Sequence, residues 1–322
     1  MDHIRRLLGR VTAAALTLLG VSVLIFAALR AMPGSYTELV LGPLATPEQK
    51  ASAAASFGLD RPVAEQYGHW LRNTVTGDFG TSLVTRSPVA SEFADRLPVT
   101  VTLTVLALAL TLLIGVPLGV YTATRAGGGR GGAAGRLLSA FGMSLPEFVL
   151  GSLVVFLFTR YRLGLSVGTY TPWSEGPLAS AGSLFLPACV LAVFCTAATA
   201  RTTRDAVLGV LVEPHIAAAV ARGEPKGFIV RHHVLRNASV PVLTLVATLS
   251  AYLLGGAVIV ERLFDVPGLG SYLVDGLDRR DYAVVQAGVL LAATVFITAN
   301  LLVDLLSGLL DPRLATAAKG AA

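Results

Sequence analysis

Residues 213–241 read EPHIAAAVARGEPKGFIVRHHVLRNASVP. The chain on both sides is apolar enough to sit in lipid, yet this stretch is polar, basic and helix-forming. Pro214 suits the first turn of a helix, where its missing N–H costs nothing. Ile216 to Arg222 is rich in alanine, the strongest helix former. Gly223 stops that helix and Pro225 prevents it from resuming. A second helix is predicted from about Lys226 to Asn237, with Phe228, Ile229, Val230, Val234 and Leu235 on its apolar side. Arg231, His232, His233 and Arg236 supply the polar side, and Pro241 opens the next apolar run. Two helices around a glycine turn make a compact knob. Its chemistry fits two uses. A partner backbone could approach the small residues Ala217, Ala218 and Ala219, or the basic side could lie on anionic lipid headgroups.

The flanking runs decide the class. Of 322 residues, 54% are hydrophobic and 14% charged, against about 25% charged in ordinary soluble domains. A spanning helix needs about 20 predominantly apolar residues. Runs free of charge occur at 11–29, 97–124, 176–200, 237–260 and 282–303, and 137–159 is interrupted only by Glu147. Six spans are predicted, near 10–30, 98–124, 136–160, 183–203, 239–261 and 282–308. The first is longer than the apolar core of a signal peptide, and no small-x-small cleavage site follows it before Met32-Pro33-Gly34, so it reads as a retained span.

Lys and Arg in short loops set orientation. Arg5, Arg6, Arg10, Arg125, Arg130, Arg136, Arg201, Arg204, Arg222, Lys226, Arg231 and Arg236 all fall on one side of a six-span arrangement. Both termini and the opening stretch are therefore expected in the cytoplasm. The net charge of +5 is spread over these loops, which argues for membrane orientation and against a nucleic-acid partner.

The loops carry their own signals. In 31–97, Thr46 reads as an N-cap with Pro47 at the first helical position, Gln49 at the third and Gly58 as a stop. RPVAEQYGHWLRNTV reads as a second amphipathic helix, GDFGTSL (77–83) as a turn, and Pro98 as a break before the second span. RAGGGRGGAAGR (125–136) reads as a flexible basic connector. The loop at 262–281 contains Pro267, Gly268 and Gly270, which suits a tight re-entry or a short helix.

Few residues suggest chemistry. Glu147 is the one ionisable residue deep in a predicted span, and such a residue is a candidate functional site. It could face a translocation path and attract a peptide's amino terminus, or serve as a protonated or hydrogen-bonded packing contact beside Pro146. Cys189 and Cys195 lie on different faces of one apolar run and have no metal-ligand spacing. His232 and His233 are adjacent, so on a helix they point about 100° apart and do not share an ion. No GxxxxGK[ST] or HExxH motif occurs.

An ordered set of stretches extends the picture. Ala218-Ala219, Gly223 and the later NASVP (237–241) resemble the cytoplasmic EAA loop of ABC importer permeases. RAMPG, FGLDRPVAEQYGHWL, GDFGTSL, LPVTVTLTVLALALTLLIGVPLGV, GGAVIVERLFDVPGLGSYLVDGLDRRDYAVVQAGVL and LVDLLSGLLDPR follow in the matching order. Together, over nearly the whole chain, they resemble the dipeptide/oligopeptide/nickel importer permease family, B-type subunit. The resemblance implies an all-α, polytopic type I permease fold with six transmembrane helices, placed in a bacterial cytoplasmic membrane. It divides the chain into 1–30 (N-terminus and first span), an external loop at 31–97, a five-helix core at 98–308 with a coupling loop at 205–238, and a tail at 309–322.

The resemblance further implies a heterodimer with a C-type permease, two cytoplasmic ATPases carrying ATP and Mg, and an extracytoplasmic peptide-binding protein. No cofactor is expected in this chain, and no enzymatic activity. The helix near 216–222 would be the coupling helix, with Ile216, Ala217, Ala218, Ala219, Arg222 and Gly223 docking an ATPase. The cargo implied is a di- or oligopeptide, or else a nickel complex, glutathione or a similar small ligand. There are departures. Ala217 stands where the motif has Glu, His215 where Tyr is common, AAAVAR is less basic than usual, and Glu147 takes the place of a small polar residue. An ion-coupled secondary transporter would be expected to carry more intramembrane carboxylates or broken helices.

Overall fold

The computed structural model describes residues 2–31, 41, 45–56, 60–125, 130–161, 164 and 167–310. The helices, in chain order, are α1 Asp2–Ala31, α2 Pro47–Ser56, α3 Val63–Val75 and α4 Val89–Thr124. They continue with α5 Arg130–Ser144, α6 Glu147–Tyr161, α7 Pro177–Ser183, α8 Phe185–Leu211 and α9 Pro214–Ala221. Then come α10 Lys226–Leu263, α11 Leu269–Asp278 and α12 Tyr282–Leu310. Among the described residues the β pairing is a single bridge between Thr81 and Pro88. The chain is all-α.

Among the described residues, five helices are long and apolar enough to cross a membrane, within α1, α4, α8, α10 and α12. The third predicted span differs. It is divided into α5 and α6, 15 residues each, and each reaches only about 22 Å of a bilayer core about 30 Å thick. Pro146 explains the division, because it has no N–H to continue α5 and its own carbonyl accepts from Val149 and Leu150, both at 3.1 Å, to start α6. The flexible connector expected at 125–136 is also shorter than predicted, since α5 starts at Arg130. A Cβ on Gly135 would lie 2.3 Å from a Thr122 methyl carbon. Gly135 thus allows close packing on α4.

Prolines predicted as boundaries lie inside helices. α4 runs through Pro98 and α10 through Pro241. Membrane helices tolerate this where neighbouring groups satisfy the freed carbonyl. Gly115 and Gly119, a small-xxx-small pair, bring α4 against α8. A Cβ at Gly119 would fall 2.5 Å from Thr203 Cβ and 2.6 Å from the Ala200 carbonyl oxygen.

The described residues form two compact units. One comprises residues 1–98 and 271–297, the other 99–270 with 298–322. In the first, the predicted cap of α2 is present: Gln49 N–H donates to Thr46 Oγ1 at 3.3 Å, and Thr46 N–H donates to Gln49 Oε1 at 2.9 Å. The stop at Gly58 and Met32-Pro33-Gly34 lie outside the described residues. α3 packs on α1 through Phe26, Tyr67 and Trp70, with ring centroids 5.3–6.0 Å apart, and the Ser22 and Tyr67 hydroxyls are bonded at 2.8 Å.

The loop after α3 is held by one carboxylate. Asp281 is buried. Its Oδ2 accepts from Ser82 Oγ at 2.6 Å, Leu83 N–H at 2.8 Å and Val84 N–H at 3.3 Å. Its Oδ1 accepts from Val284 N–H at 3.4 Å, capping α12. Asp281→Ala strands these donors. Two of these bonds are buried, so at about 1–3 kcal/mol for each buried group left unpaired a loss of roughly 2–6 kcal/mol is expected. It would appear as earlier thermal unfolding of the purified protein in detergent, and an unchanged midpoint would contradict it.

The second unit centres on α8, with Leu184, Leu191, Cys195, Leu253, Ala257 and Val260 wholly buried. The predicted loop before α8 holds a short 3-10 turn at Trp173–Glu175 and α7.

Candidate functional site: a helical knob and two buried carboxylates

The stretch at 213–241 folds as a small core of its own. α8 extends to Leu211, eight residues beyond the predicted span, and delivers Val207 and Val210. These pack with Ile216 and Ala219 of α9, with Ile229, Val234 and Ala238 of α10, and with Ala123 of α4. Pro214 is the first helical residue of α9 after an extended Glu213. The helix ends as the sequence predicts. Gly223 has φ +77°; its N–H donates to the Val220 carbonyl at 2.9 Å, and Glu224 N–H donates to the Ala219 carbonyl at 3.3 Å. This paired closure is the Schellman geometry, which glycine adopts without a Cβ penalty.

The six predicted docking residues divide. Ile216 and Ala219 are three apart on one helical face and are buried in the knob. They hold α9 in place and are not available to a partner, which corrects that part of the predicted surface. Ala217, Ala218, Arg222 and Gly223 are exposed, together with Val220 at 61% and Val212 at 84%. The free face is therefore small, apolar and bordered by one arginine.

Polar contacts tie the knob together. Arg222 donates to Glu224 Oε1 from Nε at 3.0 Å and from Nη2 at 2.7 Å. His233 Nε2 lies 2.9 Å from Glu224 Oε2. The Arg222 hydrogen bonds, and then the His233 contact, hold the Glu224 carboxyl below its ordinary range. The contribution of this carboxylate is present at neutral pH and lost as pH falls through its lowered value. His215 reaches Glu213 at 3.0 Å and Asn237 at 3.4 Å. His232 stacks on Phe228 with centroids 4.1 Å apart, so the two adjacent histidines serve different neighbours. No cluster of His, Cys, Asp and Glu suited to a metal ion occurs among the described residues.

The second helix of the knob does not stop before the span. α10 continues from Lys226 to Leu263, with a π segment at Ile229–Val234. Such wide turns concentrate at functional sites. The sequence contains no cue for it, since the π turn uses the same residue types as the α-helix around it.

Glu147 and Glu261 are two carboxylates in the second unit that are placed at the ends of apolar helices. Glu147 is the first residue of α6, at the Pro146 break. The Tyr252 hydroxyl donates to its carboxyl group, while Oε1 is buried without a hydrogen-bond partner. A Cβ on Gly256 would lie 2.8 Å from Glu147 Oε2. Contrary to the expectation from sequence, Glu147 is not alone. Glu261 is fully buried at the far end of α10. Its Oε1 accepts from Thr100 Oγ1 at 2.5 Å, and Thr100 Oγ1 in turn accepts from Leu269 N–H at 2.9 Å. A Cβ on Gly268 would meet this carboxylate at 2.2 Å, and one on Gly270 at 2.9 Å. Hydropathy misses Glu261 because the charge-free run ends at residue 260. The two glycines downstream are its visible trace in the sequence.

With this geometry in place, the comparisons with known proteins are decisive. The pattern of the binding-protein-dependent transport system inner membrane component matches residues 115–316. That of the N-terminal part of the same membrane component matches residues 3–104. The chain belongs to this permease family. A probable peptide ABC transporter permease of Sinorhizobium fredii is 36% identical over 311 residues, covering 97% of this chain and 98% of that protein. Glutathione transport system permeases of Salmonella typhimurium and Escherichia coli are each 35% identical, covering 96% of this chain and 97% of theirs.

This permease is thus a membrane-spanning subunit of an ABC importer, and membership places it in the inner membrane. Its five spanning helices and the divided α5–α6 pair agree with a six-span permease. The departures noted in the sequence also gain a location. Ala217, at the motif's Glu position, is exposed on α9, so this permease presents a methyl group there in place of a carboxylate.

Proposed function

We propose that this chain forms half of the translocation pathway of an ATP-driven, binding-protein-dependent importer of di- or oligopeptides. The peptide and glutathione permeases related to it support short peptides as cargo, with glutathione, nickel complexes and other small peptide-like ligands as the alternative. The other half is a C-type permease. Two ATPases sit on the cytoplasmic side, the side to which the Lys and Arg bias of the loops supports assigning both termini and the knob, and a binding protein delivers cargo to the opposite face.

The observation that carries the coupling role is the unbroken helix from Lys226 to Leu263. An ATPase groove that holds α9 by Ala217, Ala218, Val220 and Arg222 moves the knob as a body, because Ile216 and Ala219 lock α9 to α10. The same helix then carries that displacement into the span, a rigid-body transition of the hinge and shear type.

Reconstitution tests the reading. The chain, its partner permease, the ATPases and the binding protein are placed in liposomes with labelled trialanine outside. Uptake that needs both ATP and the binding protein is expected. Uptake by this chain alone, driven by a proton gradient, would overturn the proposal.

A further inference from the structure

We propose that Glu147, Tyr252 and Phe194 form a recognition site for the protonated amino terminus of a short peptide, an inference that rests on the peptide-importer reading. The contrast with Asp281 motivates it. Asp281 is a structural carboxylate, with both of its oxygens engaged by protein donors. Glu147 has a donor from Tyr252, but its Oε1 is buried with no partner. A carboxylate that served only to tie α6 to α10 would be expected to satisfy both oxygens, because a buried acceptor left unmade is costly.

The surroundings suit an ammonium group. Tyr252 is 42% exposed, and its ring lies 5.0 Å from that of Phe194, tilted by 37°. Two aromatic rings beside a carboxylate attract a cation through their faces, and an ammonium has three donors to share. A break between two half-length helices is also where transporters commonly place polar ligand groups. Gly256 belongs to the site for a steric reason. With no Cβ, it allows Glu147 Oε2 to lie against α10, where a methyl group would sit 2.8 Å away.

In the resting chain the Tyr252 hydroxyl covers the carboxylate. An arriving amino terminus exchanges that neutral bond for charge-assisted ones, which are shorter and roughly twice as strong. Tyr252 then acts as a positioning residue that releases Glu147 to the ligand. A peptide with a blocked amino terminus has no such exchange to offer.

The test labels Glu147 directly. The complete transporter in liposomes is treated with dicyclohexylcarbodiimide, which modifies carboxyl groups in apolar surroundings, and modification of Glu147 is read by mass spectrometry. With trialanine at about ten times its dissociation constant, labelling is expected to fall about tenfold by mass action. N-acetyl-trialanine should leave it unchanged. Tyr252→Phe should raise labelling in the absence of peptide. Equal protection by both peptides, or by neither, overturns the site. Uptake measured on the same vesicles reads the importer separately. Protection without uptake leaves the site and refutes the importer, whereas uptake without protection refutes the site alone. Glu147→Gln gives the transport counterpart: loss of trialanine uptake supports the site, and an unchanged rate overturns it.

Discussion

Gly223→Val is expected to abolish ATP-dependent uptake in liposomes while the protein still inserts and purifies as the parent does. Gly223 sits at φ +77°, and a Cβ there would meet no atom within 4 Å, so the obstacle is the backbone and not space. A β-branched residue held in that left-handed region costs about 1–3 kcal/mol. The cheapest relief is to unwind the closure of α9. That loses the two bonds from Gly223 and Glu224 and moves Glu224 away from Arg222 and His233. The spans are untouched, because the strain is confined to the knob. The expected readout is therefore a large fall in uptake with unchanged thermal stability of the spanning region. Normal uptake and normal ATPase assembly would return the knob to a surface hairpin on lipid.

Gly268→Ala is expected to have the largest effect on stability. The added methyl carbon would lie 2.2 Å from Glu261 Cδ and Oε1 and 2.4 Å from Oε2. The carboxylate cannot swing into water, since Glu261 has 0% exposure. Either the turn at 264–268 opens or the carboxylate leaves Thr100. Breaking a buried charge away from its partners costs about 3–5 kcal/mol. Failure to accumulate in the membrane, or a much lower unfolding midpoint, is expected. Glu261→Gln in the Gly268→Ala background does not restore it, because the amide is as large as the carboxylate. A Gly268→Ala protein with parental stability would show that the turn yields easily.

Much of the molecule was legible in the sequence, and the exceptions share physical causes. Hydropathy located five of the six predicted spans because lipid imposes a composition on any helix that crosses it. The cap at Thr46 and Gln49 and the stop at Gly223 were readable because both are local rules, settled within four residues. The division of the docking residues was not. α9 carries Ile216, Ala217, Ala218, Ala219 and Val220 in succession, so no polar stripe distinguishes its inner face from its outer one. Only the positions of Val207, Val210, Ile229 and Val234 decide which side is covered. Pro98 and Pro241 misled for a related reason: a proline ends an isolated helix, but a packed membrane helix can retain it. Glu261 lay one residue beyond an apolar run, and its importance depends on Thr100, 161 residues away.

The contact between Ser82 and Asp281 has a bearing on biosynthesis. Its two residues are 199 positions apart. At the usual 5–20 residues per second, the ribosome makes Asp281 roughly 10–40 s after Ser82. Throughout that interval the Ser82 hydroxyl and the Leu83 amide lack their eventual acceptor. The first compact unit, assembled from residues 1–98 and 271–297, is therefore completed only when the last helix emerges. A nascent chain arrested before residue 281 would carry an unfinished loop, a state that a quality-control protease could recognise by its access to residues 77–88.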